Sequence, residues 1–288
     1  MSKNDRINNK LMSGYLDRIG AGKILVNKEP ISFDWTPNNL VGRDKELSEL
    51  ASMFSHIENH NSSCRAVITG PVGSGKTVLS KRFGHDLLKH LQGQRKISYS
   101  HVNCRTNPST SQVLRQIAKS LDSGHPERGL SSGEIIQSIR RNLMTHNNHL
   151  LLVLDEVDVL VRRDNFDLIY KLLRIDESQE GQGSLSLILV SQDSMLLKLF
   201  EPAIISRLGA SNVLQLKPYN KKGLIEIARQ RAEIACRSGS ISEEILEKIG
   251  TMASDSGDAR LAIELLDSAI RKAESTGRGE VLISDIEQ

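Results

Sequence analysis

The chain has 288 residues, 25% charged and 38% hydrophobic, with a formal net charge of +3. That length holds two domains, and that composition is ordinary for a globular protein. A charge so near zero excludes a global basic field for nucleic acid, and 3% aromatic residues argue against a base-stacking single-strand platform. Three widely spaced cysteines, Cys64, Cys104 and Cys236, point to a reducing compartment and to small core residues, not to disulfides or metal ligands. No run of about 18 apolar residues exists, so no membrane partner is expected. The polar start Met1-Ser2-Lys3-Asn4-Asp5 lacks a signal-peptide core.

Residues 1–30 are mixed and polar, with scattered Leu11, Tyr15, Leu16, Ile19 and Ile24, and read as an N-terminal arm that packs on the body in places. Ile31-Ser32-Phe33-Asp34-Trp35-Thr36-Pro37 is expected to be extended, because the residue before a proline disfavours helix. Residues 43–59 carry Leu47, Leu50, Ala51, Phe54 and Ile57, the stripe of an amphipathic helix. Ala66-Val67-Ile68-Thr69 reads as a buried strand, and Val78, Leu79, Phe83, Leu87, Leu88 and Leu91 mark a helix after it. A second strand is expected over 96–103, and Val113, Leu114, Ile117, Ala118 and Leu121 mark another helix. Ser131-Ser132-Gly133-Glu134 is a capping box opening a helix that buries Ile135, Ile136, Ile139 and Leu143.

Leu150-Leu151-Leu152-Val153-Leu154 is apolar throughout, as a strand covered on both faces should be. A helix over 166–175 and strands over 184–191 and 213–216 follow. After Lys217-Pro218-Tyr219 the strands stop, and helices are expected over 220–236, 242–253 and 258–275. Such a switch marks a domain boundary. The expected layout is an arm over 1–30, an α/β nucleotide-binding base domain over 31–217 and an all-helical domain over 218–288.

Between the first strand and its helix stands Gly70-Pro71-Val72-Gly73-Ser74-Gly75-Lys76-Thr77, which fits the phosphate-binding loop G-x-x-x-x-G-K-[ST]. Glycines let the backbone wrap a polyphosphate, and the loop amides and helix N-terminus face the anion. The pattern implies ATP and ADP as ligands, with Lys76 on the β- and γ-phosphates and the Thr77 hydroxyl on Mg²⁺. The third strand ends in Asp155-Glu156. With a phosphate loop present, Asp155 is the candidate Mg²⁺ ligand and Glu156 the candidate base that deprotonates the attacking water. Asp158 reads as structural or as a helix cap.

The loop, the Asp155-Glu156 strand end and the all-helical tail resemble an AAA+ ATPase. Within that class the chain is similar to the archaeal initiators of the origin-recognition and cell-division-cycle type. The resemblance runs from about Ile24 to the C-terminus and includes Leu40-Val41-Gly42-Arg43 with Asp44-Lys45-Glu46, Val102-Asn103-Cys104-Arg105 and Tyr170-Lys171-Leu172-Leu173-Arg174. Its most family-specific parts are Lys217-Pro218-Tyr219-Asn220 and Gly257-Asp258-Ala259-Arg260.

The resemblance implies a parallel sheet with helices on both faces and a helical lid, the nucleotide lying between base and lid. It implies that Val41 and Gly42 line the adenine pocket, that Tyr219 and Arg231 contact adenosine from the lid side, and that Arg260 is the second sensor, near phosphate. Arg207 in Ser206-Arg207-Leu208 stands where an arginine finger serves a neighbouring subunit's nucleotide. Gln192 stands at the first sensor, where a shorter polar residue such as Asn is usual. Family members also carry a short helical insertion after the second strand that touches duplex DNA. Here that stretch holds Arg105, Thr106 and Arg115, types suited to phosphate contacts.

The function so implied is slow, switch-like ATP hydrolysis by a replication initiator, with double-stranded origin DNA, the replicative MCM helicase, and self or paralogous initiators as partners, in the cytoplasm at the nucleoid. The family's winged-helix DNA-binding domain would begin where this chain stops, at Gln288, so weak DNA affinity is expected of this part. The alternative is an AAA+ regulatory protein without sequence-specific DNA binding.

Overall fold

The computed structural model describes residues 22–59, 62–164, 166–175 and 183–286. The arm positions Leu11, Tyr15, Leu16 and Ile19 lie outside them. The chain packs as two units: one spans Gly42–Lys217, and the other joins the described residues up to Val41 to those from Pro218 onward. The segment 31–41, expected in the base domain, thus groups with the C-terminal helices. The reason is Arg231, a buried side chain that donates to the carbonyls of Pro30 and Ser32 and lies over the Trp35 ring.

The first unit is built on five strands, β1 (Arg65–Thr69), β2 (Ile97–Asn103), β3 (His149–Asp155), β4 (Ser184–Ser191) and β5 (Val213–Gln215). Their order is β2-β3-β4-β1-β5, and all pairs are parallel. β3 and β4 are buried at every residue, which fits the apolar run Leu150–Leu154 in β3, while β4 carries Ser184, Ser186 and Ser191 beside its apolar residues. Helix α1 (Asp44–Met53) precedes β1, and α2 (Lys76–His90), α3 (Thr110–Leu121), α4 (Ser132–Thr145), α5 (Asp158–Asp164), α6 (Asp167–Leu173), α7 (Leu196–Leu199) and α8 (Pro202–Leu208) connect the strands. Val113, Leu114 and Ile117 of α3, Ile135, Ile139 and Leu143 of α4, and Leu150, Leu152 and Leu154 of β3 share one core. The capping box at Ser131 and Glu134 forms as its spacing requires. With parallel strands, β1, β3 and β4 all end on one side, so the loops that follow them gather there.

α1 stops at Met53, short of the Asn59 its periodicity suggested. The chain turns so that Phe54 packs edge-on against Phe83. The carbonyls of Ile57 and Asn59, which a longer helix would direct along its axis, accept from the buried Arg95 guanidinium instead. α5 and α7 are too short to show a helical period.

At the opposite end of the sheet His149 is wholly buried, with Nδ1 2.7 Å from Ser184 Oγ and Nε2 3.0 Å from Ser186 Oγ. Burial, then the Arg95 and Arg65 charges, push this imidazole down to about 3. The native state therefore binds fewer protons than the unfolded one between pH 3 and 6.5. The stability His149 contributes is complete above pH 6.5 and falls as pH drops toward 3, by about 1.4 kcal/mol per pH unit. Urea unfolding from pH 7 to 4 is expected to show that slope, and His149→Gln is expected to be less stable at pH 7 but flatter below pH 6.5 by about one proton.

The second unit has helices α9 (Lys221–Ala235), α10 (Glu243–Ser254) and α11 (Ala259–Ser275). Leu224, Ala228, Ile249, Leu266 and Ile270 form its core, and Ile24 is buried among them. Asn220, Ser242 and Asp258 cap the three helices. No helix among the described residues is long and apolar enough to cross a membrane.

Candidate functional site

The phosphate loop joins β1 to α2. Gly70 has φ +151°, and a Cβ there would lie 2.6 Å from the Leu216 carbonyl oxygen, so the loop can start so close to the chain leaving β5 only with glycine. Gly73 and Gly75 have φ +71° and +88°, which non-glycine residues rarely adopt. Ser74 Oγ donates to Pro71 O across the loop at 2.8 Å. Lys76 is 8% exposed, and its ammonium donates to Gly70 O and Pro71 O at 2.7 Å each. Val72 is 47% exposed at the loop tip.

Thr77 Oγ1 donates to Asp155 Oδ2 at 2.7 Å, which ties the start of α2 to the end of β3 across 78 residues of sequence. Asp155 is 2% exposed. Burial pushes its carboxyl up, but the His101 ring, 3.5 Å away, the Thr77 hydroxyl and the Glu156 amide outweigh this and hold it below the ordinary aspartate value. A hydroxyl and an ionised carboxylate in contact are the hard oxygen donors Mg²⁺ takes from a protein when phosphate and water supply the rest. Among the described residues no group of three or more His, Cys, Asp or Glu could hold a metal ion alone.

Glu156 follows in a left-handed conformation, φ +52°, its amide donating to Asp155 Oδ1 at 2.9 Å. Its carboxylate accepts from Arg105 Nε. Asn103 Oδ1 holds the turn carrying Arg105 by accepting from the amides of Arg105 and Thr106 at 2.8 and 3.2 Å. Of the three residues predicted to contact DNA, Arg105 and Thr106 are exposed on this turn. Arg115 is half-buried, bonded to Ser111 O and Glu127 O at 3.0 Å each.

Gln192 is exposed just beyond β4, its backbone N–H donating to Asp158 Oδ2 at 3.2 Å, and Ser191 Oγ donates to the other oxygen of the same carboxylate. Asp158 is therefore structural, as its sequence position suggested, and it anchors the turn that carries Gln192. Arg207 is exposed in the last turn of α8. Gly42 is exposed with φ +60° and Val41 is half-buried.

In the helical unit the two most family-specific stretches meet. Tyr219 N donates to Gly257 O at 3.0 Å, and a Cβ on Gly257, φ +63°, would lie 2.5 Å from Pro218 Cβ. Asp258 Oδ1 accepts from Arg260 N at 2.7 Å, which leaves Arg260 exposed in the first turn of α11. Arg231 differs from its expected role: the residue is 5% exposed and its guanidinium clamps Pro30, Ser32 and Trp35. Burial lowers its pKa to about 10.

Sequence reasoning placed no role on Arg43, His101 or Asn103. Arg43 and His101 act through contacts distant in sequence, whereas Asn103 holds its own turn; Arg43 and Asn103 stand in the Leu40–Arg43 and Val102–Arg105 stretches of the resemblance, and His101 has no such signal.

A parallel sheet with a phosphate loop after β1, Asp-Glu after β3 and an appended helical bundle defines an AAA+ ATPase. Residues 62–200 match the family model of an AAA domain, and residues 225–288 match the Cdc6 AAA+ ATPase-type lid domain. The chain is 30% identical over 270 residues to an ORC1-type DNA replication protein of Desulfurococcus amylolyticus, covering 93% of this chain and 68% of that protein. It is 29% identical over 279 residues to ORC1-type DNA replication protein 1 of Sulfolobus acidocaldarius, covering 96% and 69%. The Aeropyrum pernix ORC1 protein, solved in complex with DNA, superposes with a TM-score of 0.83 at 26% identity, over 92% of this chain and 68% of that one. The chain belongs to the archaeal ORC1/Cdc6 family of AAA+ replication initiators, and it is an ATP-binding ATPase.

Proposed function

We propose that this chain is a nucleotide-dependent switch that binds double-stranded origin DNA, recruits the replicative MCM helicase and assembles with itself or with paralogous initiators at the nucleoid. One observation carries this reading. Thr77 and Asp155 are bonded at 2.7 Å, and the adjacent Glu156 is held by Arg105, which stands in the stretch assigned to DNA contact.

In this reading Lys76, Gly73, Ser74 and Gly75 bind the phosphates, with Pro71 and Val72 shaping the loop, while Val41, Gly42 and Tyr219 lie on the adenosine side. Arg260 reads the phosphates from the lid, and Arg231 acts indirectly through the segment it clamps. Thr77 and Asp155 hold Mg²⁺, which supplies neutralisation of phosphate charge. Glu156 takes the proton of the attacking water, and Gln192 orients that water. Turnover is slow because the Glu156 carboxylate is engaged by Arg105. A guanidinium turned toward a DNA phosphate releases that carboxylate, so duplex DNA and the base compete for one side chain.

The test is DNA binding by fluorescence anisotropy from 50 to 300 mM salt, with ATP turnover measured in parallel. Weak, mostly sequence-independent binding is expected, with log K falling against log salt at a slope on the order of −2 to −4, for about two to four phosphate contacts. Arg105→Ala is expected to make that slope shallower by about one unit and to raise DNA-free turnover. Tight sequence-specific binding by this chain would contradict the weak-affinity reading. No binding at 50 mM salt would favour the regulatory alternative, an AAA+ protein without sequence-specific DNA recognition.

A further inference from the structure

The chain passes between its two units twice, at Val41–Gly42 and at Lys217–Pro218. Arg43 sits one residue past the first passage, and its side chain reaches the second. Arg43 is 4% exposed, and one guanidinium nitrogen, Nη2, donates both to Ser74 O in the phosphate loop and to Lys217 O, at 2.8 Å each. The other, Nη1, pairs with Glu46 Oε1 at 2.7 Å, one turn along α1. A buried guanidinium is retained only when its donors are matched, and a planar fork is what allows one side chain to serve three acceptors in fixed directions.

A second contact joins the same places. Leu216 N donates to Thr69 O at 2.8 Å, and Leu216 O fills the space a Gly70 side chain would need. The exit of the base unit is thus tied to the start of the phosphate loop, at Thr69 through backbone, and to its middle, at Ser74 through Arg43. Any rotation of the Ser74–Gly75 peptide moves one of the two carbonyls between which Arg43 Nη2 is shared, the other being Lys217 O.

We propose that Arg43 is a positioning residue that couples the occupancy of the phosphate loop to the two passages between the units, without touching nucleotide itself. The inference rests on the nucleotide reading of the loop. It adds a direction: nucleotide in the loop orders Lys217 and the residues that follow it, and Arg43 is the link. Lysine at this position keeps the charge but not the fork, so it cannot hold Ser74, Lys217 and Glu46 together.

The experiment is hydrogen exchange of the whole chain with and without ADP and Mg²⁺, read at residues 217–224, alongside ADP affinity by calorimetry. The parent is expected to bind ADP and to gain protection there. Arg43→Lys is expected to bind ADP about tenfold more weakly, the scale of one lost charge-assisted hydrogen bond, and at saturating ADP to lose the added protection at 217–224 while keeping it at 70–77. Glu46→Gln leaves the two carbonyl bonds available and is expected to shift both readouts the same way by less; it serves if Arg43→Lys does not fold. A merely structural role would lower the melting temperature and leave the ADP-induced protection at 217–224 intact. That result, or parental affinity together with parental protection, overturns the proposal. Failure of the parent itself to bind ADP overturns the nucleotide reading instead.

Discussion

Glu156→Gln is expected to reduce ATP turnover by 100-fold or more while leaving ATP affinity within about twofold, because loss of a positioned general base costs roughly that factor and the amide keeps the shape. Glu156 directly follows the buried Asp155, and its amide is bonded to that carboxylate. The left-handed backbone at Glu156 turns its side chain away from the line of β3 and toward the turn bearing Arg105. Single-turnover hydrolysis with enzyme in excess is the measurement, since it reads chemistry without product release. A variant retaining more than about a tenth of the parental rate would move the base role elsewhere. Asp155→Asn is a useful contrast. It keeps an oxygen near Thr77 but removes the charge suited to Mg²⁺, so it should impair Mg²⁺-dependent binding as well as turnover.

The second large effect concerns Arg207, which is expected to act on ATP bound by a neighbouring subunit. Arg207 stands exposed in the last turn of α8, whereas Lys76 and Asp155 are enclosed. The expectation rests on its position in Ser206-Arg207-Leu208 and its exposure, and arginine fingers supplied in trans contribute 10³-fold or more to turnover. Arg207→Ala should leave nucleotide affinity of the dilute chain unchanged and remove the concentration-dependent part of hydrolysis. Arg260→Ala, by contrast, should weaken nucleotide binding at every concentration. Mixing Arg207→Ala with Lys76→Ala protein provides the decisive measurement. One variant retains a loop that binds ATP, and the other retains a finger to complete it, so part of the activity should return. A mixture that assembles, as light scattering would report, but stays inactive rules out action in trans.

What the sequence determined by itself lies within short reach along the chain. The phosphate loop is eight consecutive residues whose glycines, lysine and threonine are dictated by the anion they enclose. β3 is readable because a strand covered on both faces is largely apolar, as Leu150–Leu154 is, and the run Leu187–Val190 marks β4 in the same way. The cap at Asp258 and the box at Ser131 and Glu134 close hydrogen bonds two or three residues away, so their residue types suffice. The motif Gly257–Arg260 is recognisable in sequence, and its glycine is required by the close approach of Pro218 and Tyr219.

Contacts that span long stretches of chain were decided by the tertiary structure alone. Arg95 reaches back 38 residues to Ile57, and its demand for carbonyls goes with an α1 shorter than the apolar period of residues 43–59 indicates. Arg105 meets Glu156 51 residues away, and Arg43 bridges Ser74 and Lys217 at separations of 31 and 174. Arg231 reaches across 201 residues to Pro30, which draws the segment before Val41 into the helical unit and gives this arginine a buried clamping role. In each case a guanidinium found carbonyl or carboxylate oxygens that no local pattern announces. Arginine can fill a buried or an exposed position depending on which acceptors the fold brings to it. The sheet order decides which acceptors those are, and sheet order is a property of the packed chain, not of any window along it.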